Sequence, residues 1–207
     1  MIPDLRLENI NDIIVTHDHG DHSSGLEMIA DYKMFEQKPS VENGGTRPRL
    51  YGPEEVIDSF RKSMNHKLTY KNYQLEDYFN IVITKHGDEV PISHELMLTT
   101  CNADHKAVPS FGLILNYQGT KFGYSGDTRF CPSLLNFLSH ADLLIHECDG
   151  GNVIHTTPEE LSGWKKESGY NGKLYVCHIR DEDKSSEYGL TPLVDNIFVD
   201  VEKIRGK

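Results

Sequence analysis

Apolar and polar positions along the chain switch repeatedly between strand-like and helix-like spacing. Asp12-Ile13-Ile14-Val15-Thr16 holds an unbroken Ile-Ile-Val triplet between polar residues, which predicts a short buried strand. Residues 23–30 place Leu26, Ile29 and Ala30 on one helical face. Residues 37–49, rich in Pro, Gly, Asn and charge, read as a loop. Arg49-Leu50-Tyr51 predicts a strand stopped by Gly52-Pro53. Residues 54–64 then carry Val56, Ile57 and Phe60 at helical spacing, with Glu54 and Glu55 at the end where negative charge is favourable. Residues 70–79 are aromatic and polar, with Tyr70, Tyr73, Tyr78 and Phe79, and predict a loop pinned by half-buried tyrosines or a lid.

The second half is richer in strands. Residues 81–83 and 96–101 are β-prone, and 112–117 with 121–124 form a hairpin around Gln118-Gly119. Residues 131–138 predict a short helix, 142–145 a buried strand, 157–167 a helix with Pro158 in its first turn, and 173–177 a last strand. Strands mixed with helices predict a layered α/β protein, with residues 1–207 as one domain.

The strand at residues 12–16 runs straight into His17-Asp18-His19-Gly20-Asp21-His22, four potential metal ligands within six residues. Side chains two apart on extended backbone point the same way, so His17 and His19 can close on one ion. Gly20 permits a tight turn, which swings Asp21 and His22 to the other side of the loop at the start of a helix. An imidazole pair and a carboxylate–imidazole pair suit two adjacent divalent ions, zinc before iron or manganese.

His-x-His-x-Asp-His after an apolar strand resembles the signature of the metallo-β-lactamase-fold hydrolases. Later segments extend the resemblance, in order, to about residue 179. Asp104-His105 resembles the family's third-histidine segment, Gly126-Asp127-Thr128 its Gly-Asp-Thr turn, and His178-Ile179 its strand-end His-Ile pair. The resemblance implies an αβ/βα sandwich and a dinuclear centre. In it His17, His19 and His105 hold one ion, Asp21, His22 and His178 the second, and Asp127 bridges both. It also implies hydrolysis by a hydroxide formed from a water shared between the ions, with Asp21 orienting that hydroxide. Class B β-lactamases usually carry cysteine where Asp127 stands, which counts against that activity.

Leu144-Ile145-His146-Glu147 and His155-Thr156-Thr157 further resemble the phosphodiesterase branch, particularly ribonuclease Z-like enzymes. His155, just before a helix, is then a candidate proton donor to a leaving alkoxide, or simply the helix cap. His146 and Glu147 are candidate supports for the ligands.

Charge and composition narrow the partner. The chain has a formal net charge of -11, which repels long polynucleotides. No Gly- and Lys-rich arm for tRNA is visible, and Arg180-Asp181-Glu182-Asp183 is more acidic than the continuation that usually follows the last histidine. A small phosphodiester such as a cyclic nucleotide therefore fits better than tRNA. Lactone or thioester hydrolysis needs the same metal core, and a metal-binding scaffold without catalysis is a further alternative. No run is apolar enough for a membrane span and no signal peptide is visible. Cys101, Cys131, Cys148 and Cys177 lack CxxC spacing and read as free thiols of a cytoplasmic protein. The resemblance also implies strands ahead of the first histidine motif that this sequence does not show, so either the product is truncated or mis-started or the first sheet is reduced, and an exposed sheet edge is expected to be covered by a second copy in a homodimer.

Overall fold

A computed structural model describes residues 6–32, 47–68, 74–150, 153–180, 182–193 and 204. The chain divides into two compact units, Met1–Thr84 and Lys85–Lys207.

The first unit is built on three parallel strands, β1 (Asp12–Ile14), β2 (Arg49–Gly52) and β3 (Asn80–Ile83), in that spatial order. Ile13 pairs with Leu50, and Leu50 with Ile81. Parallel neighbours need crossover segments, and helices occupy both crossovers. Helix α1 (Gly20–Asp31) lies between β1 and β2, and α2 (Glu54–Leu68) and α3 (Leu75–Tyr78) between β2 and β3. Val56, Ile57 and Phe60 of α2 are all buried, as their spacing predicts. Two elements differ from the sequence reading. Helix α1 begins at Gly20 rather than Ser23, because the His19 carbonyl accepts hydrogen bonds from His22 N (3.0 Å) and Ser23 N (2.9 Å). Residues 75–78 are helical rather than a loop, because Gln74 and Asp77 form a reciprocal capping box. That turn buries Leu75 and Tyr78, and Phe79 behind it. Tyr70 and Tyr73, and most of the expected loop at 37–49, lie outside the described residues.

The second unit holds a seven-stranded mixed sheet, ordered β10-β9-β8-β7-β6-β5-β4. Strands β4 (Glu89–Pro91), β5 (Leu96–Asn102), β6 (Phe111–Tyr117) and β7 (Thr120–Tyr124) pair antiparallel. Strands β7, β8 (Leu143–Glu147), β9 (Lys173–Cys177) and β10 (Thr191–Pro192) pair parallel. Helices α4 (Pro132–Leu138), α5 (Pro158–Ser168) and α6 (Glu182–Glu187) make the three crossovers. Strands β4 and β10 are two or three residues long and each contains a proline, which suits the sheet's two edges and explains why neither stands out in the sequence.

The core of this unit gathers Leu134, Leu135 and Leu138 of α4 and Leu161 of α5. They pack with Ile114, Leu144, Leu174 and Val176 of the strands. Gly112 is required by close approach: a Cβ there would lie 2.7 Å from Leu134 Cδ1 and 3.0 Å from the Ser125 carbonyl oxygen. No helix among the described residues is long and apolar enough to cross a membrane.

Candidate metal and catalytic centre

In the first unit the histidine motif caps α1 rather than lying along a strand. β1 ends at Ile14, and His19 is the N-cap, with extended backbone (φ -60°, ψ 146°). Asp21 and His22 consequently sit on the first helical turn. The His17 ring is 4.8 Å from that of His19, edge-on, and 4.2 Å from that of His22. His17 and His19 each offer a ligand atom within 4.8 Å of the other's. His22 Nε2 is 3.4 Å from Asp21 Oδ2. His17 is fully buried, and its Nδ1 lies 3.1 Å from the Thr16 hydroxyl. Asp18, the motif's remaining acid, has a supporting part. Its carboxylate accepts a short hydrogen bond from Ser59 of α2, and its carbonyl accepts one from Ser23 (3.1 Å). Asp18 therefore ties the loop to both helices.

In the second unit the topology does the collecting. β5, β7, β8 and β9 all run in one direction, so their C-terminal ends share one edge of the sheet. His105, Asp127, Glu147 and His178 lie at or just past those ends. This is where open α/β sheets place their sites. Asp127, His155 and His178 each offer a ligand atom, all within 4.8 Å of one another. His105 and Asp127 are within the same distance. His178 Nε2 is 3.6 Å from Asp127 Oδ2. The His155 ring is 5.3 Å from that of His105 and 4.9 Å from that of His178. The His105 Nδ1 lies 3.3 Å from the Ile154 carbonyl. A proton on Nδ1 donated there leaves the Nε2 lone pair for a metal. His178 has a left-handed backbone (φ 49°), unusual for a residue with a Cβ.

Glu147 holds the edge together. It is fully buried. Its Oε1 accepts from Thr128 N (3.1 Å) and Thr156 N (3.0 Å), and its Oε2 from Asp149 N (3.2 Å). The loop after β7 and both ends of the loop between β8 and α5 thus meet on one carboxylate. Its Oε1 also lies 3.3 Å from His155 Nδ1. Burial pushes the Glu147 carboxyl up to about 8, against the pull of those three N–H groups. Burial lowers the His155 pKa, opposed first by Asp127. His146 is a core residue: burial lowers its pKa to about 4, and its Nδ1 lies 2.6 Å from the Glu147 carbonyl.

His155 does not cap α5. The cap is Thr157, whose hydroxyl accepts from Glu160 N (3.2 Å) while Glu160 Oε2 accepts from Thr157 N (2.9 Å). His155 lies instead beside Asp127, Glu147 and Asp149. All four cysteines are free. Burial raises the Cys101 thiol to about 11 and those of Cys148 and Cys177 to about 12, which leaves all three protonated at neutral pH. Sequence reasoning did not find Asp18, Asp149 or Arg180. For Asp149 the only sequence signal is its place two residues past Glu147.

Known proteins resemble this chain in sequence and fold. The family model described as Anti-Pycsar protein Apyc1 matches residues 3–195. The chain belongs to that family. A relative of the same description from Bacillus phage vB_BsuM-Goe3 is 29% identical, over 84% of this chain and 71% of its own. A ribonuclease Z from Pyrococcus abyssi is 26% identical, over 92% of this chain and 76% of its own. Among solved structures, the metallo-beta-lactamase fold protein YhfI from Bacillus subtilis superposes with a TM-score of 0.68 at 21% identity, over 89% of this chain and 73% of that one. The fold is the metallo-β-lactamase-like α/β fold, and the chain is a member of that hydrolase superfamily with candidate metal-binding clusters.

Proposed function

We propose that the chain is a dinuclear metal-dependent phosphodiesterase acting on a small phosphodiester or nucleotide. The observation that carries this reading is His155, held in the edge cluster by Glu147 beside Asp127 and His178. An imidazole held among acidic groups beside the cluster is what proton transfer to a leaving group requires. In this reading His17, His19 and His105 hold one ion, Asp21, His22 and His178 the other, and Asp127 serves both. The donor set fits: within each unit the imidazoles and carboxylates converge, with Nε2 of His105 left for coordination by the partner of its Nδ1. Bound divalent ions, zinc before iron or manganese, would supply Lewis acidity that activates water at neutral pH.

The chain's own groups supply the rest. Asp21 orients the attacking water. Glu147 holds the His155 ring through Nδ1, and Asp127 and Asp149 favour its protonated form against burial, so that Nε2–H can pass a proton to the leaving alkoxide. The acidic chain favours a small substrate over a long nucleic acid. The names of the relatives agree with this direction: one is a ribonuclease and others are anti-Pycsar proteins.

The test is His155→Ala on two substrates. A positioned general acid is worth about 10²–10⁴-fold. Turnover of a nucleoside 3′,5′-cyclic monophosphate should fall within that range. The loss should shrink for bis(p-nitrophenyl) phosphate, whose leaving group needs little protonation. Metal content should be retained. Equal losses on both substrates together with lost metal would make His155 a ligand instead. A wild-type enzyme that opens lactones or thioesters but no diester would refute the reading.

A further inference from the structure

The edge that carries Asp127, His155 and His178 also carries an ion pair with no part in the reading above. Arg180 follows β9, two residues beyond His178. Its Nη2 donates to Asp149 Oδ2 at 3.1 Å, and its Nε lies 3.0 Å from Asp149 Oδ1. Asp149 Oδ2 is in turn 3.8 Å from His155 Nε2. A single carboxylate therefore stands between the guanidinium and the imidazole.

The two partners are unequally exposed. The Asp149 side chain is 8% exposed and that of Arg180 62%. The carboxylate is fixed in the protein, with its backbone N–H bound to Glu147, while the guanidinium projects into solvent from it. A pair this exposed adds little to stability, so stability alone is a weak reason for the arrangement. Guanidinium is a planar fork with five N–H donors. Asp149 takes the Nε–Nη2 edge, and among the described residues Nη1 makes no hydrogen bond. A second acceptor can approach there without displacing the first.

The charge around His155 says what that acceptor is. Asp127, Glu147 and Asp149 place carboxylate oxygens 3.9, 3.3 and 3.8 Å from its ring nitrogens. A monoanionic diester approaching the Asp127 and Asp149 carboxylates needs cationic contacts beyond the ions. We propose that Arg180 is a substrate-binding residue, which grips a phosphoryl oxygen through its Nη1 edge while Asp149 holds the guanidinium beside His155. This rests on the phosphodiesterase reading for the identity of the substrate.

The test pairs binding with kinetics on the zinc-loaded chain. Adenosine 5′-monophosphate binding is measured by calorimetry, and KM and kcat with a nucleoside 3′,5′-cyclic monophosphate. Losing one charge-assisted hydrogen-bonding group should weaken both AMP affinity and KM by about 10–100-fold in Arg180→Ala. The kcat should change far less, and melting temperature and metal content should match the wild type. Arg180→Lys should recover part of the loss, since it restores charge but not the fork. Unchanged AMP affinity and KM in Arg180→Ala would overturn the proposal, as would a fall in melting temperature with binding intact. A wild type that binds AMP through Arg180 yet cleaves no diester would refute the phosphodiesterase reading and leave this inference standing.

Discussion

The two units assemble their chemistry in opposite ways. In the first, His17, His19, Asp21 and His22 come from six consecutive residues, and one loop leading into one helix is enough to bring the rings together. In the second, His105, Asp127, His155 and His178 are dispersed along the chain, and parallel strands deliver them to one sheet edge. The first arrangement depends on local backbone. The second depends on the whole sheet and on the leucine core beneath it. A local site should therefore survive damage to distant packing better than a collected one.

The largest effect sharpens this contrast at the ligands themselves. Removing a group that only supports a ligand costs about 10–100-fold in metal affinity or activity, and removing a ligand should cost more. Asp127→Ala should lose both ions or leave one weakly held, because in the proposed centre Asp127 would serve both. His19→Ala should lose one ion preferentially. Elemental analysis after growth with zinc, iron and manganese reads both. Trace metal alone in the wild type would sink the dinuclear proposal outright.

The next effect attacks the collected site through its core. Leu134 is fully buried in the α4 cluster and abuts Gly112 of β6. Leu134→Ala should cost about 2–5 kcal/mol, read as a lower urea midpoint. A variant near wild-type stability would show that the core can collapse around the gap.

The smallest effect attacks the local site. Ser59→Ala removes the donor to Asp18 and should cost about 1 kcal/mol. Metal content should stay close to that of the wild type, because the loop retains its backbone hydrogen bonds into α1. If Ser59→Ala loses metal as readily as Leu134→Ala loses stability, the first site depends on more than its own loop and helix.

The same contrast explains what was legible in the chain beforehand. Val56, Ile57 and Phe60 announced their burial through helical spacing, and the predicted strands at 81–83, 112–117 and 173–177 recur within a residue or two. The start of α1 was misplaced because its initiation depends on the His19 carbonyl, which carries no side-chain signal. Leu75–Tyr78 was read as loop because a one-turn helix has no periodicity to detect. Glu147 looked like a minor support, and its place under three backbone N–H groups could not be read from neighbouring residues.

By itself, then, the sequence determined the ligand types, the local histidine motif and the alternation of strands and helices. These follow from side-chain chemistry and from spacing over a few residues. Only the tertiary structure decided that His155 faces Asp127 and Glu147 while Thr157 caps the helix, and that Arg180 is moored to Asp149. Those contacts join residues from different strand ends. They exist because parallel strands with right-sized crossovers bring those ends to one edge, a condition set by the packing of the whole unit and by no single stretch of chain.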